Sequence, residues 1–277
     1  MPSAATVRRE IELSLESRFP SALTPAARTV REVAPTGIDA ADRILDGGLP
    51  VGAISEIVGP ASSGRTSLAL AFLAQRTAEG RVCAWVDAND ALDPESAAAN
   101  GVNLKQLLWV RCRGCEPNSE HAQNPERDLR SNAGRCGRAF RRAGKPVWTR
   151  LDQALRATDL LLQAGGFAAI VLDLGDTAPE HGCRIPLATW FRFRQAADRT
   201  RCSLLLLGKA AFAQLSAAVA LECSPLRAET AGGKVMRGFT FELRREKQRF
   251  TPGGPGAKKG PASTWSAGTA WEAEKRA

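Results

Sequence analysis

One short segment limits what this chain can fold into more than any other: Gly59-Pro-Ala-Ser-Ser-Gly64-Arg65-Thr66. An apolar run, Ile54-Ser-Glu-Ile-Val58, precedes it. From Thr66 to Glu79, Leu68, Phe72 and Leu73 fall on one side of a helical repeat that Gly80 ends. Strand, glycine loop and helix in that order is the setting a phosphate loop requires. Glycines let the backbone turn its N–H groups inward around phosphate oxygens, and the helix N-terminus adds a favourable dipole. The candidate phosphate-binding residues are therefore Gly59, Pro60, Ala61, Ser62, Ser63, Gly64, Arg65, Thr66 and Ser67, with the Thr66 hydroxyl placed for Mg²⁺. The usual motif has Lys where this chain has Arg65, and a planar guanidinium fork does not replace an ammonium point charge. The competing reading is a Ser/Gly-rich turn that merely opens a helix.

The rest of the chain repeats that alternation. Strands are expected at Val82–Val86, Leu107–Val110, Ala169–Asp173 and Ser203–Leu207, and helices at Pro94–Asn100, Leu151–Ala164 and Pro186–Arg199. The strands are continuously apolar, which predicts an α/β fold with a mostly parallel sheet covered by helices on both faces. Ala217–Leu221 and Phe239–Leu243 are expected to form an antiparallel hairpin at its edge. The core then spans 36–250. Residues 1–35 form an N-terminal helix and linker, with Ile11, Leu15 and Phe19 as an apolar stripe that needs a partner. Residues 251–277, rich in Gly, Pro, Lys and Ala, suggest a flexible tail. On the helix 186–199, Trp190, Phe191 and Phe193 are expected to face the sheet while Arg192 and Arg194 face water.

Composition narrows function by exclusion. No apolar run approaches the about 20 residues of a membrane span. Met1–Arg18 holds no apolar signal-peptide core, and seven unevenly spaced cysteines do not suggest a disulfide framework, so the expected location is the cytoplasm. With two His and no Gly-x-Ser-x-Gly, a serine hydrolase is excluded. The net charge is +9, and 111–150 carries ten basic residues against four acidic, two thirds of that excess. This segment is expected to be an exposed basic insertion. Arg135, Arg138, Arg141, Arg142 and Lys145, with Phe140 and Trp148 beside them, are the candidate contacts to single-stranded DNA; a solvated charged loop is the alternative. Cys112, Cys115, His121 and Cys136 amount to four possible zinc ligands. Only the first two form a close couple, so unbound thiols are the preferred reading.

Several stretches together resemble the RecA-like P-loop ATPase family. They are Thr36-Gly-Ile-Asp39, Gly47-Gly-Leu-Pro50, the loop at 59–66, Ala91-Leu-Asp-Pro-Glu95 and Gly101-Val102, with Ala169-Ile-Val-Leu-Asp173 as the second metal-side strand. The resemblance covers 36–110 and 169–173. It implies ATP on the phosphate loop and Mg²⁺ held near Thr66 and Asp173, partly through water. It also implies a general-base Glu two residues past Asp87. That position is Asn89 here, and an amide orients a water but does not take its proton. Ser96 stands where the family's adenine-stacking aromatic falls. The stretches 208–216 and 177–185 are too short for the family's mobile DNA-binding loops.

Two functions follow from the resemblance. The departures favour an accessory factor of the ImuA type in DNA damage response and translesion synthesis, with weak or absent ATP hydrolysis and an ImuB-like polymerase relative as partner. The alternative is an ATP-dependent DNA-strand recombinase that binds single-stranded DNA.

Overall fold

A computed structural model describes residues 29–112, 149–175, 177–231, 235–252 and 262–268. The chain enters through β1 (Thr29–Arg31) and β2 (Val33–Ala34), then α1 (Asp39–Ile44) and β3 (Leu49–Pro50). β4 (Ile54–Val58), α2 (Arg65–Ala78) and β5 (Cys83–Asp87) follow, then α3 (Pro94–Ala99) and β6 (Leu107–Arg111). Past Thr149 come α4 (Arg150–Ala164), β7 (Ala169–Asp173), α5 (Pro179–Gly182), α6 (Leu187–Thr200) and β8 (Ser203–Gly208). β9 (Ala217–Ala231), β10 (Val235–Gln248), β11 (Phe250–Pro252) and β12 (Ala262–Gly268) complete the described elements.

Among the described residues, eight strands form the central sheet in the order β12-β10-β9-β4-β8-β7-β5-β6. From β9 to β6 neighbours run parallel, and β9, β10 and β12 pair antiparallel. The period-two geometry of strands divides the core by face. Leu205, Leu207 and Val171 pack with Leu68, Phe72 and Leu73 of α2. Leu204, Leu206 and Ile170 pack with Leu162 of α4 and with Trp190 and Phe193 of α6. Helices thus cover both faces, as the apolar strands predict.

Two helix starts carry side-chain caps. Asp93 accepts the N–H groups of Glu95 and Ser96 at the start of α3. Thr149 and Asp152 form a reciprocal capping box on α4.

Three expectations are revised. Phe191 does not face the sheet: it is 48% exposed, with the Arg194 guanidinium over its ring at 5.1 Å. Helical geometry turns residue 191 by about 100° from Trp190, so the two rings cannot share the buried face. The hairpin strands run 15 and 14 residues, far past the apolar stretches that predicted them. Their outer ends carry polar residues such as Arg227 and Glu229, and a backbone ladder needs no apolar pattern to continue. Finally, 262–268 lies inside the stretch whose composition suggests a flexible tail, yet it forms β12 against β10 and buries Trp265. Among the described residues no helix is long and apolar enough to cross a membrane.

Candidate phosphate-binding site

The sheet register places the site. Ile57 of β4 pairs with Leu207, Leu207 with Asp173, and Asp173 with Asp87, so one row crosses the C-terminal ends of four parallel strands. β8 lies between the strand that leads into the glycine loop and the strand that ends at Asp173. At about 4.8 Å per strand, Ile57 and Asp173 stand about 10 Å apart in the sheet plane.

The loop itself is tightly constrained. Gly59 has φ +155°, and a Cβ there would meet the Cys223 carbonyl oxygen at 2.2 Å. Gly64 has φ +87° and caps α2; a Cβ on it would fall 2.8 Å from the Phe241 ring and 2.9 Å from that of Trp265. These two rings, with centroids 4.8 Å apart, support the loop from the core side. No backbone carbonyl among the described residues accepts from the amides of Ala61, Ser62, Ser63 or Gly64. Two buried polar atoms here also have no hydrogen-bond partner: the Ser63 hydroxyl and Arg65 Nη1. Buried donors are ordinarily paired, so their convergence on the loop fits an anion. The residues therefore suit a phosphate group.

They suit a divalent cation less well. Thr66 is exposed at the start of α2 and Asp173 is 8% exposed at the end of β7. The Arg65 guanidinium reaches toward the same end of β7. A Cβ on Gly175 would lie 3.0 Å from Asp173 Oδ1 and 3.6 and 3.8 Å from the two terminal nitrogens of Arg65. Arg65 also acts on Cys223 of β9: burial pushes that thiol up to about 12, and the guanidinium charge pulls the other way.

The corner that carries Asn89 is built from the β5 end. Asp87 is buried and accepts from the amides of Asn89, Ala91 and Leu92 and from the Trp109 indole, so it organises the turn. Asn89 is half-buried and borders a cavity of about 690 Å³ shared with Thr149, Arg150, Thr177, His181 and Arg184. The adjacent Asp90 gives no substitute base, because Arg111 clamps its carboxylate in a two-pronged ion pair at 2.5 and 2.6 Å. Ser96 is spent on the Asp93 cap, whose carboxyl its hydroxyl holds below the usual range.

Sequence reasoning missed Glu56. It is 1% exposed in the middle of β4, and its carboxylate accepts the N–H groups of Phe212 and Ala213. The signal was one charged residue within an apolar strand. Glu56 fastens the link between β8 and β9 to the core. Burial raises its carboxyl above the usual value, against the opposing pull of those amides and Lys247. A raised folded-state value stabilises fully below the unfolded value and loses that contribution as pH rises through the folded one. Glu56→Gln keeps an acceptor without the charge. Its melting temperature relative to wild type is therefore expected to climb between pH 4 and pH 8; a gap that stays flat with pH would rule this out.

Cys112 is buried, its thiol pushed up to about 11 by burial and by Asp87. Cys115, His121 and Cys136 lie outside the described residues. So do the DNA-contact candidates Arg135, Arg138, Arg141, Arg142 and Lys145.

A glycine phosphate loop after an inner strand of a parallel sheet, with an antiparallel edge, defines an α/β fold of the RecA and RadB kind. The crystal structure of the RadB recombinase superposes with a TM-score of 0.51 at 15% identity, over 83% of this chain and 93% of that one. Residues 22–123 match the RecA N-terminal domain family. Protein RecA of Crocosphaera subtropica is 49% identical over 86 residues, 31% of this chain and 25% of that protein. Protein RecA of Brucella anthropi is 29% identical over 193 residues, 64% of this chain and 44% of that protein. The chain thus spans less than half the length of either RecA protein.

Proposed function

We propose that this protein is a RecA-like accessory factor of DNA repair: it holds ATP weakly on residues 59–67, hydrolyses it slowly, and works beside another repair protein. The resemblance to the ImuA-type branch points to translesion synthesis in the cytoplasm, with an ImuB-like polymerase relative as that partner. The observation that carries this reading is the link from β8 to β9. It is eight residues long, 209–216, and Glu56 ties it down at Phe212 and Ala213. A strand-exchange enzyme of this family needs a mobile DNA-binding loop there. Asn89 supports the same conclusion, since it removes the proton acceptor for the attacking water.

DNA affinity in this reading comes from the basic residues of 111–150. It is independent of sequence and falls steeply with salt as counterions are released. ATP phosphates are taken by the loop amides, the Ser63 hydroxyl and Arg65. Where magnesium accompanies ATP in the family it neutralises phosphate charge; in this chain the corner between Thr66 and Asp173 is shared with a guanidinium.

The recombinase reading rests on the 49% identity over 86 residues to protein RecA of Crocosphaera subtropica. Electron microscopy with ATP and single-stranded DNA separates the two. The accessory factor is expected to form no regular helical filaments; filaments would restore the recombinase.

A further inference from the structure

We propose that the Arg65 guanidinium takes the place of the divalent cation, so that phosphate binding at this loop needs no metal. The inference rests on the phosphate reading above and adds how the charge is neutralised.

Arg65 is the first residue of α2, directly after the left-handed Gly64, so its side chain starts at the mouth of the loop. The guanidinium then reaches the end of β7. The point one bond out from the Gly175 Cα is bordered by Asp173 Oδ1 at 3.0 Å and by Arg65 Nη2 and Nη1 at 3.6 and 3.8 Å. Glycine at 175 leaves that corner open to both groups. The two prongs of the fork are not equivalent. Nη2 is the closer to the corner that Asp173 borders, whereas Nη1 is buried with no hydrogen-bond partner. The buried, unpartnered Ser63 hydroxyl is a second donor within the loop.

A lysine ammonium is a single mobile point charge: it can sit on a carboxylate or on a phosphate. A guanidinium carries five N–H donors in a rigid plane and stays charged at any accessible pH. One fork can therefore turn one prong to the Gly175 corner that Asp173 borders and present the other to a phosphate oxygen. That is the bridging task a divalent cation performs, done without a coordination sphere. A cation placed in the same corner would meet a fixed like charge at close range.

The test is calorimetric titration of the full chain with ATP, in magnesium chloride and again in EDTA. Wild-type affinity is expected to agree within about threefold between the two buffers, while Arg65→Lys gains a magnesium dependence of about tenfold or more. Wild-type affinity that falls further than threefold in EDTA would overturn the inference and leave the phosphate site standing. So would a lysine variant as indifferent to the metal as wild type. If neither protein binds ATP in either buffer, the phosphate reading fails and this inference with it.

Discussion

Gly59→Ala is expected to abolish ATP binding and to lower the melting temperature by about 6–12 °C. Two separate costs combine. The position has φ +155°, which side-chain-bearing residues rarely adopt, and the new Cβ would sit 2.2 Å from the Cys223 carbonyl oxygen and 2.7 Å from the Ser63 hydroxyl. The carbonyl belongs to Cys223 of β9, one residue past the stretch paired to β4 and itself paired to Leu243 of β10, so it cannot step aside without disturbing the sheet. Backbone strain and overpacking each cost about 1–3 kcal/mol. For a domain of this size a total of about 3 kcal/mol corresponds to that shift in melting temperature. Ala61→Ser, at an exposed position of the same loop, is expected to change stability by less than about 0.5 kcal/mol. Differential scanning fluorimetry of the two variants settles it: a Gly59→Ala protein that melts with wild type would mean the loop is not held as described.

The second large effect concerns hydrolysis. Asn89 sits at the edge of its cavity with its backbone, not its side chain, anchored to Asp87. Replacing the side chain therefore leaves the turn intact. Arg65→Lys together with Asn89→Glu is expected to raise ATP turnover about 100-fold or more, the contribution a positioned general base makes. Asn89→Glu alone is expected to gain less, because the guanidinium still borders the Gly175 corner that Asp173 lines. Turnover by phosphate release, measured with magnesium present, is the readout. No gain in the double variant would place the defect elsewhere.

The phosphate loop was legible in the sequence because its physics is local: glycines, a preceding apolar strand and a following helix all lie within some 25 residues. Asp173 was legible for the same reason, at the end of a continuously apolar strand. What the loop leans on was not. Phe241 and Trp265 lie 177 and 201 residues past Gly64 in sequence and meet it only because β10 and β12 extend the sheet beyond β9. β12 itself hides in a Gly- and Pro-rich context, and one buried Trp is too little periodicity to announce a strand. Glu56 was visible as a charge in an apolar run, but its partners depend on how the 209–216 link folds back. Arg65 read as a departure from Lys. That its fork reaches the β7 end follows only from the register that sets β7 two strands from β4.

On the proposed function, this chain keeps the phosphate loop of its fold without the machinery of a DNA-driven motor. Steady-state ATP hydrolysis by the wild-type protein, with and without saturating single-stranded DNA, tests it most directly. Turnover is expected to be about 10²–10⁴-fold below that of a RecA recombinase assayed alongside, with no stimulation by DNA. Turnover equal to the recombinase, rising when DNA is added, would contradict it.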